Sequence, residues 1–366
     1  MTIAYITAVL EKTAPLYLQE DYDNAGLIIG EGHLLCSGVL LTLDVTEQVI
    51  DEAISSNCNL IVAHHPIIFK GLKKLNGANY VEKTVIKALR NNIAIYACHT
   101  NLDNVIHGVN AMIADKLGLV NRSILLPKAN QLLKLTVYVP ESHCEILLDA
   151  LFSAGAGEIG KYSECSFVSE GIGSFKPGAD ANPYSGIIGV RETGNEKKIE
   201  VVFPVWKQSA ILRAMLESHP YEEIAYDVLA ISNTYQEVGA GMVGELESVM
   251  NESDFIKQIS AVFGLSVVKH TPLLGKMVKK VAVCGGSGSF LTSTARKVGA
   301  DVYITSDIKY HEFFDANDSI LLLDIGHYES EQFTIELFHR VLRQNFPNFA
   351  LLKSKVNTNP VRYFIP

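Results

Sequence analysis

Four short stretches hold the residue types that can do chemistry: His64-His65-Pro66, His99 through Asp103, Asp307 with His311, and His327 with Glu331 four residues on. Imidazoles and carboxylates at these spacings point to metal ligation or to proton transfer. If Gly326 ends a strand turn, His327 and Glu331 stand at positions i and i+4 of a helix. They then share a face and can reach one ion, although the same pair also suits the acidic first turn of a solvent-facing helix. His64 and His65 are neighbours, so in an extended strand they would point to opposite faces. They can serve a metal centre from a turn, or each take its own ion of a close pair; the plainer alternative is one packed and one exposed histidine. Asp103 taken alone is an ordinary loop aspartate or helix cap. Together His64, His65, Asp103, His327 and Glu331 offer three nitrogens and two carboxylates. That set suits zinc, manganese or iron(II), and a bridging carboxylate is a common way to hold two cations close. Five ligands across two ions would leave positions open to water, as catalytic sites do. His99, Asp307 and His311 lie on the same edge as orienting or catalytic candidates, with His99 read as orienting rather than ligating.

These residues need elements that deliver them to one place. The first part of the chain alternates apolar strand-sized runs and amphipathic helices: Ser37–Leu43, Thr46–Ser55, Leu60–Ala63, Val81–Asn91, Ile93–Cys98 and Val109–Leu117. The rhythm returns at Lys280–Cys284, Thr292–Val298, Val302–Thr305 and Ile320–Asp324, with a long helix from about Glu329 to Asn345. This predicts an α/β unit with a mostly parallel sheet, whose ligands gather beyond the carboxyl ends of the strands. Between these parts, Leu132–Val139, Glu141–Ala154, Tyr162–Phe175, Lys198–Pro204, Lys207–Ser218 and Ile224–Ser232 read strand–helix–strand twice over, a ferredoxin-like α+β pattern. The expected division is a discontinuous α/β domain of residues 1–127 and 234–366, interrupted by residues 128–233.

Composition narrows the function classes. The chain has 366 residues, 48% hydrophobic and 19% charged, and lacks an apolar run near the ~20 residues of a membrane span. Its start shows no basic, signal-like segment, which predicts a cytoplasmic location. Net charge is −9, and the excess is acidic in the inserted part (9 basic, 14 acidic) as well as in the rest (22 and 26), which argues against nucleic-acid partners. Six scattered cysteines with no Cys-x-x-Cys pair fit reduced thiols. Gly285-Gly286-Ser287-Gly288-Ser289 could present backbone N–H groups to a phosphate, or form a tight turn with close packing.

The segments Tyr22 to Gly30, Ala63-His64-His65-Pro66, His99 to Asp103, Thr305 to His311 and Gly326 to Glu331 resemble, in order, the Nif-three-like dinuclear metal-centre family, whose members are often labelled GTP cyclohydrolase I type 2 homologues. The middle resembles the CutA/PII-like insertion of the family's long bacterial form, through His219-Pro220-Tyr221-Glu222-Glu223. The resemblance implies two divalent ions, zinc first and iron or manganese as alternatives, held by His64, His65, Asp103, His327 and Glu331, with Glu331 bridging. It also implies a homohexamer built as a trimer of dimers. Tyr22 stands where a tryptophan is common, and His107 is an additional histidine before Gly108.

Three functions follow as expectations. The first is a metal-dependent hydrolase of GTP cyclohydrolase type acting on a nucleotide-like substrate. The second is a metal-dependent binding or scaffold protein without turnover. The third, a nucleic-acid-binding ring, has the charge balance against it.

Overall fold

The computed structural model describes residues 1–364. The chain forms two compact units: Met1–Leu126 together with the chain from Val238 onward, and Pro127–Glu237.

In the first unit, Val39–Thr42, Leu60–Ala63 and Ala94–Ala97 run parallel, with Gly26–Ile29 antiparallel at the edge beyond Ala94–Ala97 and Leu351–Lys353 parallel at the other edge. All three parallel strands are buried along their whole length, because each face of the sheet is covered. A second sheet repeats the arrangement. Met277–Ser287, Val302–Ser306 and Leu321–Asp324 run parallel, and Lys269–His270 lies antiparallel beyond the last of them. On its other side come Thr234–Asn251, antiparallel, and then Val120–Ala129. The middle and third parallel strands of each sheet thus end in the segments that carry His64 and His65, His99 and Asp103, Asp307, and His327.

The second unit has a four-stranded antiparallel sheet in the spatial order Ser166–Phe175, Glu192–Pro204, Leu132–Pro140, Tyr226–Ile231. The helices Cys144–Ser153 and Gln208–Ser218 bury Leu147, Leu151, Ile211 and Met215 against Leu135, Val137, Ile199 and Phe203. His219 belongs to this packing. Its Nδ1 accepts from the Tyr221 amide at 3.1 Å, which leaves Nε2–H to donate to the Tyr138 carbonyl at 2.9 Å.

Three features depart from the sequence expectation. The expected helix from Glu329 to Asn345 is two helices, His327–Glu331 and Thr334–Asn345. The break sits where Gln332 Nε2 donates to both Glu329 O (2.9 Å) and Phe263 O (3.0 Å), and the Phe333 ring packs on Phe263 at 5.5 Å. The strand Thr234–Asn251 was not foreseen, because glycines interrupt its alternation. At Gly244 a Cβ would come within 3.0 Å of Val120 O, so glycine is what lets the two strands approach. The helix Ile3–Thr13 has no counterpart in the sequence expectation, although Ile3, Ile6 and Leu10 are spaced for one buried face.

Candidate metal centre

His64 and His65 leave the strand Leu60–Ala63 at a bend. Both backbone amides donate to one acceptor, Leu43 O, at 3.1 and 3.0 Å. The sharp turn removes the strand geometry that would send the side chains apart, and the two rings lie 4.9 Å centroid to centroid. Asp103 closes the short helix Thr100–Asp103, which follows Ala94–Ala97. His327 opens a helix after Gly326, whose φ of +90° suits glycine and whose Cβ would fall 2.2 Å from Glu329 Oε2. Glu331, one turn along, is buried.

The five predicted ligands converge. His65 Nε2 lies 3.1 Å from Glu331 Oε2 and 3.2 Å from His327 Nε2, and His327 Nε2 is 3.2 Å from the same Glu331 oxygen. His64 Nε2 stands 3.6 Å from Glu331 Oε1 and 3.7 Å from Asp103 Oδ1. Donor atoms thus form two triads, His65/His327/Glu331 and His64/Asp103/Glu331, each with its atoms within 4.8 Å of one another and with Glu331 common to both. A third group joins His64 and His65 to His99.

Each imidazole is fixed from behind. His64 Nδ1 faces Cys98 O at 2.9 Å, His65 Nδ1 faces Asp44 Oδ1 at 2.8 Å, His99 Nδ1 faces Asp23 Oδ1 at 2.8 Å, and His327 Nδ1 faces Asp307 Oδ2 at 2.6 Å. A carbonyl or carboxylate can only accept, so every Nδ1 carries a proton, and the Nε2 atoms of His64, His65 and His327 are turned toward the cluster. This is how metal-binding histidines are usually held. Asp307 takes a φ of +56° to do so, a conformation aspartate tolerates better than most residues.

The electrostatics call for positive charge at the Nε2 face. Burial holds His64 below its ordinary pKa. Burial would lower His65 and His327 too, but hydrogen bonds and charge from Asp44 and Glu331, and from Glu331 and Asp307, raise them to about 10 and about 9. Asp103 is pushed up, first by desolvation and then by the nearby Glu331. Glu331 is held down because His64, His327 and His65 outweigh its own burial. Three buried atoms, His64 Nε2, Asp103 Oδ1 and Glu331 Oε2, have no aligned hydrogen-bond partner. Orphaned donors and acceptors that face one another are costly unless a cation completes them. The donor set therefore fits a metal ion, which satisfies several of these atoms at once where a proton satisfies one.

The glycine segment settles differently from its phosphate-binding reading. Gly285 N donates to Asn110 Oδ1 and Gly286 N to Ser330 Oγ, both at 3.0 Å, so these amides are occupied within the protein. The segment instead makes room for the centre. A Cβ on Gly286 would lie 2.3 Å from Glu331 Oε1, and the residue has a φ of +62°. His311 stays apart from the donor triads, with its ring against Tyr310 (5.2 Å) and Phe314 (6.5 Å). Asp44 and Asp23 escaped the sequence reading as functional residues. Asp44 stands two residues beyond the strand Val39–Thr42, at the same sheet end, and that position was its signal. Asp23 lies inside the segment Tyr22 to Gly30 and also accepts from Thr100 N at 3.0 Å and from Thr100 Oγ1, capping the helix that delivers Asp103.

A parallel-stranded α/β unit with a buried histidine–carboxylate cluster beyond its strand ends defines a class of candidate metal-binding proteins. Comparison with known proteins narrows it: the Duf34/NIF3 (NGG1p interacting factor 3) family model matches residues 1–360, and the chain belongs to that family. The GTP cyclohydrolase 1 type 2 homolog of Bacillus subtilis (strain 168) is 40% identical over 367 aligned positions, covering 98% of this chain and 97% of that one. The protein of the same name from Staphylococcus epidermidis (strain RP62A) is 36% identical, covering 99% and 100%. Among solved structures, a Bacillus cereus protein related to NIF3 superposes with a TM-score of 0.88 at 36% identity, covering 100% of this chain and 99% of that one. No helix among the described residues is long and apolar enough to cross a membrane.

Proposed function

We propose that this protein is a dinuclear divalent-metal protein and a metal-dependent hydrolase of GTP cyclohydrolase type, acting on a nucleotide-like substrate. His65, His327 and Glu331 would hold one ion and His64, Asp103 and Glu331 the other, with Glu331 common to both donor sets. The observation that carries this is the pair of donor triads sharing one buried carboxylate. Mixed imidazole and carboxylate donors suit zinc first, with iron(II) and manganese as alternatives. When bound, such ions supply Lewis-acid polarisation and make water nucleophilic near neutral pH.

The chain's own residues orient and handle protons. Asp44 and Asp307 fix the rings of His65 and His327. His99, aligned by Asp23, stands in one donor group with His64 and His65 and is the candidate for proton transfer there. The names of the relatives support the substrate class. The discriminating assay is formate release from GTP by metal-loaded protein, set against the His64→Ala/Glu331→Ala double variant. Release by the wild type alone is expected; equal rates remove the cyclohydrolase reading.

The occupied amides of Gly285 and Gly286 favour a second reading, metal-dependent ligand binding without turnover, because they withdraw the one evident cradle for a triphosphate. Metal-dependent affinity without product would establish it, and multiple turnover would end it. We also propose that residues 128–233 are an inserted domain and that the protein assembles as a homohexamer. A light-scattering mass of six chains tests the latter.

A further inference from the structure

We infer that residues 354–359 form a strap that registers the two halves of the metal centre, with Thr358 and Asn359 as its positioning residues. The inference rests on the dinuclear reading above. The strand Leu351–Lys353 pairs with Val39–Thr42, and the chain then leaves the sheet. Ser354 N donates to Leu41 O at 2.8 Å, while Ser354 Oγ and Lys355 N hold the two oxygens of Glu52 at 2.5 and 2.9 Å. Val356 packs on the core beneath the first sheet. So anchored, the chain places two successive side chains on different halves of the centre. Thr358 Oγ1 donates to Asp44 Oδ2 at 2.6 Å, and Asp44 Oδ1 in turn accepts from His65 Nδ1. Asn359 Nδ2 donates to Glu329 Oε1 at 2.9 Å, on the helix that carries His327 and Glu331.

The physical consequence is specific. Asp44 can rotate about its Cβ–Cγ bond. With Thr358 on one oxygen and His65 on the other, the carboxylate plane is fixed, and with it the rotation of the His65 ring. Asn359 fixes the helix start on the opposite side. His65 comes from the first sheet and His327 and Glu331 from the second, so their triad depends on the two sheet ends keeping register. One dipeptide ties both.

The test uses the full chain, stripped with a chelator and titrated with cobalt(II) while its visible absorption is followed. Removing a residue that orients a ligand commonly weakens metal binding about 10-fold or more, so Thr358→Val should weaken one of two equivalents by about that factor and shift its absorption band. Thr358→Ser, which keeps the hydroxyl, should restore both. Asn359→Ala, which frees the helix that carries both His327 and the shared Glu331, should weaken at least that equivalent, and it carries the test alone if Thr358→Val fails to fold. Metal-free melting temperatures equal to wild type separate positioning from general stability. The strap is overturned if Thr358→Val, or Asn359→Ala standing in for it, matches wild type in affinity and spectrum, or if Thr358→Ser is as weak as Thr358→Val. A wild-type chain that takes up no cobalt overturns the dinuclear reading itself.

Discussion

At the scale of single residues, the groups behind the ligands define the centre as much as the ligands do. Asp44→Asn should keep the protein folded and weaken metal binding by about 10- to 100-fold, read by calorimetric titration, because it takes the negative charge from the group behind His65 and turns the oxygen that accepts from Thr358 into a donor. Asp23 gives a pH signature. Burial would raise its pKa, but the hydrogen bond and charge of His99, with help from Thr100, lower it from 3.8 to about 2. A carboxylate depressed in the folded state contributes stability above its unfolded pKa, and that stability is lost as pH falls through the folded value. Asp23→Asn should therefore cost about 2 kcal/mol at neutral pH by denaturant unfolding, with the difference vanishing near pH 2. The cysteines supply another check. Burial raises the Cys36 thiol to about 11 and the Cys284 thiol to about 12, and also raises Cys58, Cys98 and Cys144. At pH 8 the native protein should expose only the half-buried Cys165 to a disulfide reagent, and all six thiols after unfolding.

At the scale of elements, the strand ends were legible and their supports were not. Leu60–Ala63 could be read to the residue, since four apolar residues bounded by polar ones leave little choice. His64, His65 and Asp103 could be named because they lie just beyond strands, and His327 with Glu331 because they share one face of the helix after the next strand. The bend that makes His64 and His65 neighbours depends on Leu43 O, which belongs to a different strand's exit, so no local pattern announces it. Likewise the break after Glu331 depends on Phe263, about seventy residues earlier in the chain. The glycine segment shows how one pattern can serve two ends: its spacing allowed a phosphate cradle or a tight turn with close packing, and the contacts assign it to the second, as clearance around Glu331. Gly286→Ala should thus destabilise the fold by about 1–3 kcal/mol through overpacking and positive φ, and should weaken metal uptake as well. Thermal unfolding of the metal-free protein and cobalt titration read the two effects separately.

At the scale of the whole molecule, the chain leaves and re-enters the first unit on neighbouring strands. Val120–Ala129 and Thr234–Asn251 are adjacent in one sheet, and a Cβ on Gly241 would sit 3.3 Å from Leu125 Cβ. A short turn can therefore join them. Replacing residues 127–237 with a glycine–serine turn should leave a folded chain whose metal stoichiometry equals that of the full protein; loss of binding would show that the second unit is needed for the centre. The centre itself draws on segments more than 260 residues apart, from His64 to Glu331, so only the fold can bring the donors together. We propose that two ions share Glu331 at this centre. The most direct measurement is diffraction from zinc-grown crystals at wavelengths on either side of the zinc absorption edge. Two anomalous peaks flanking Glu331 are expected, one beside His65 and His327 and the other beside His64 and Asp103. A single peak, or peaks away from Glu331, would rule out a shared dinuclear centre.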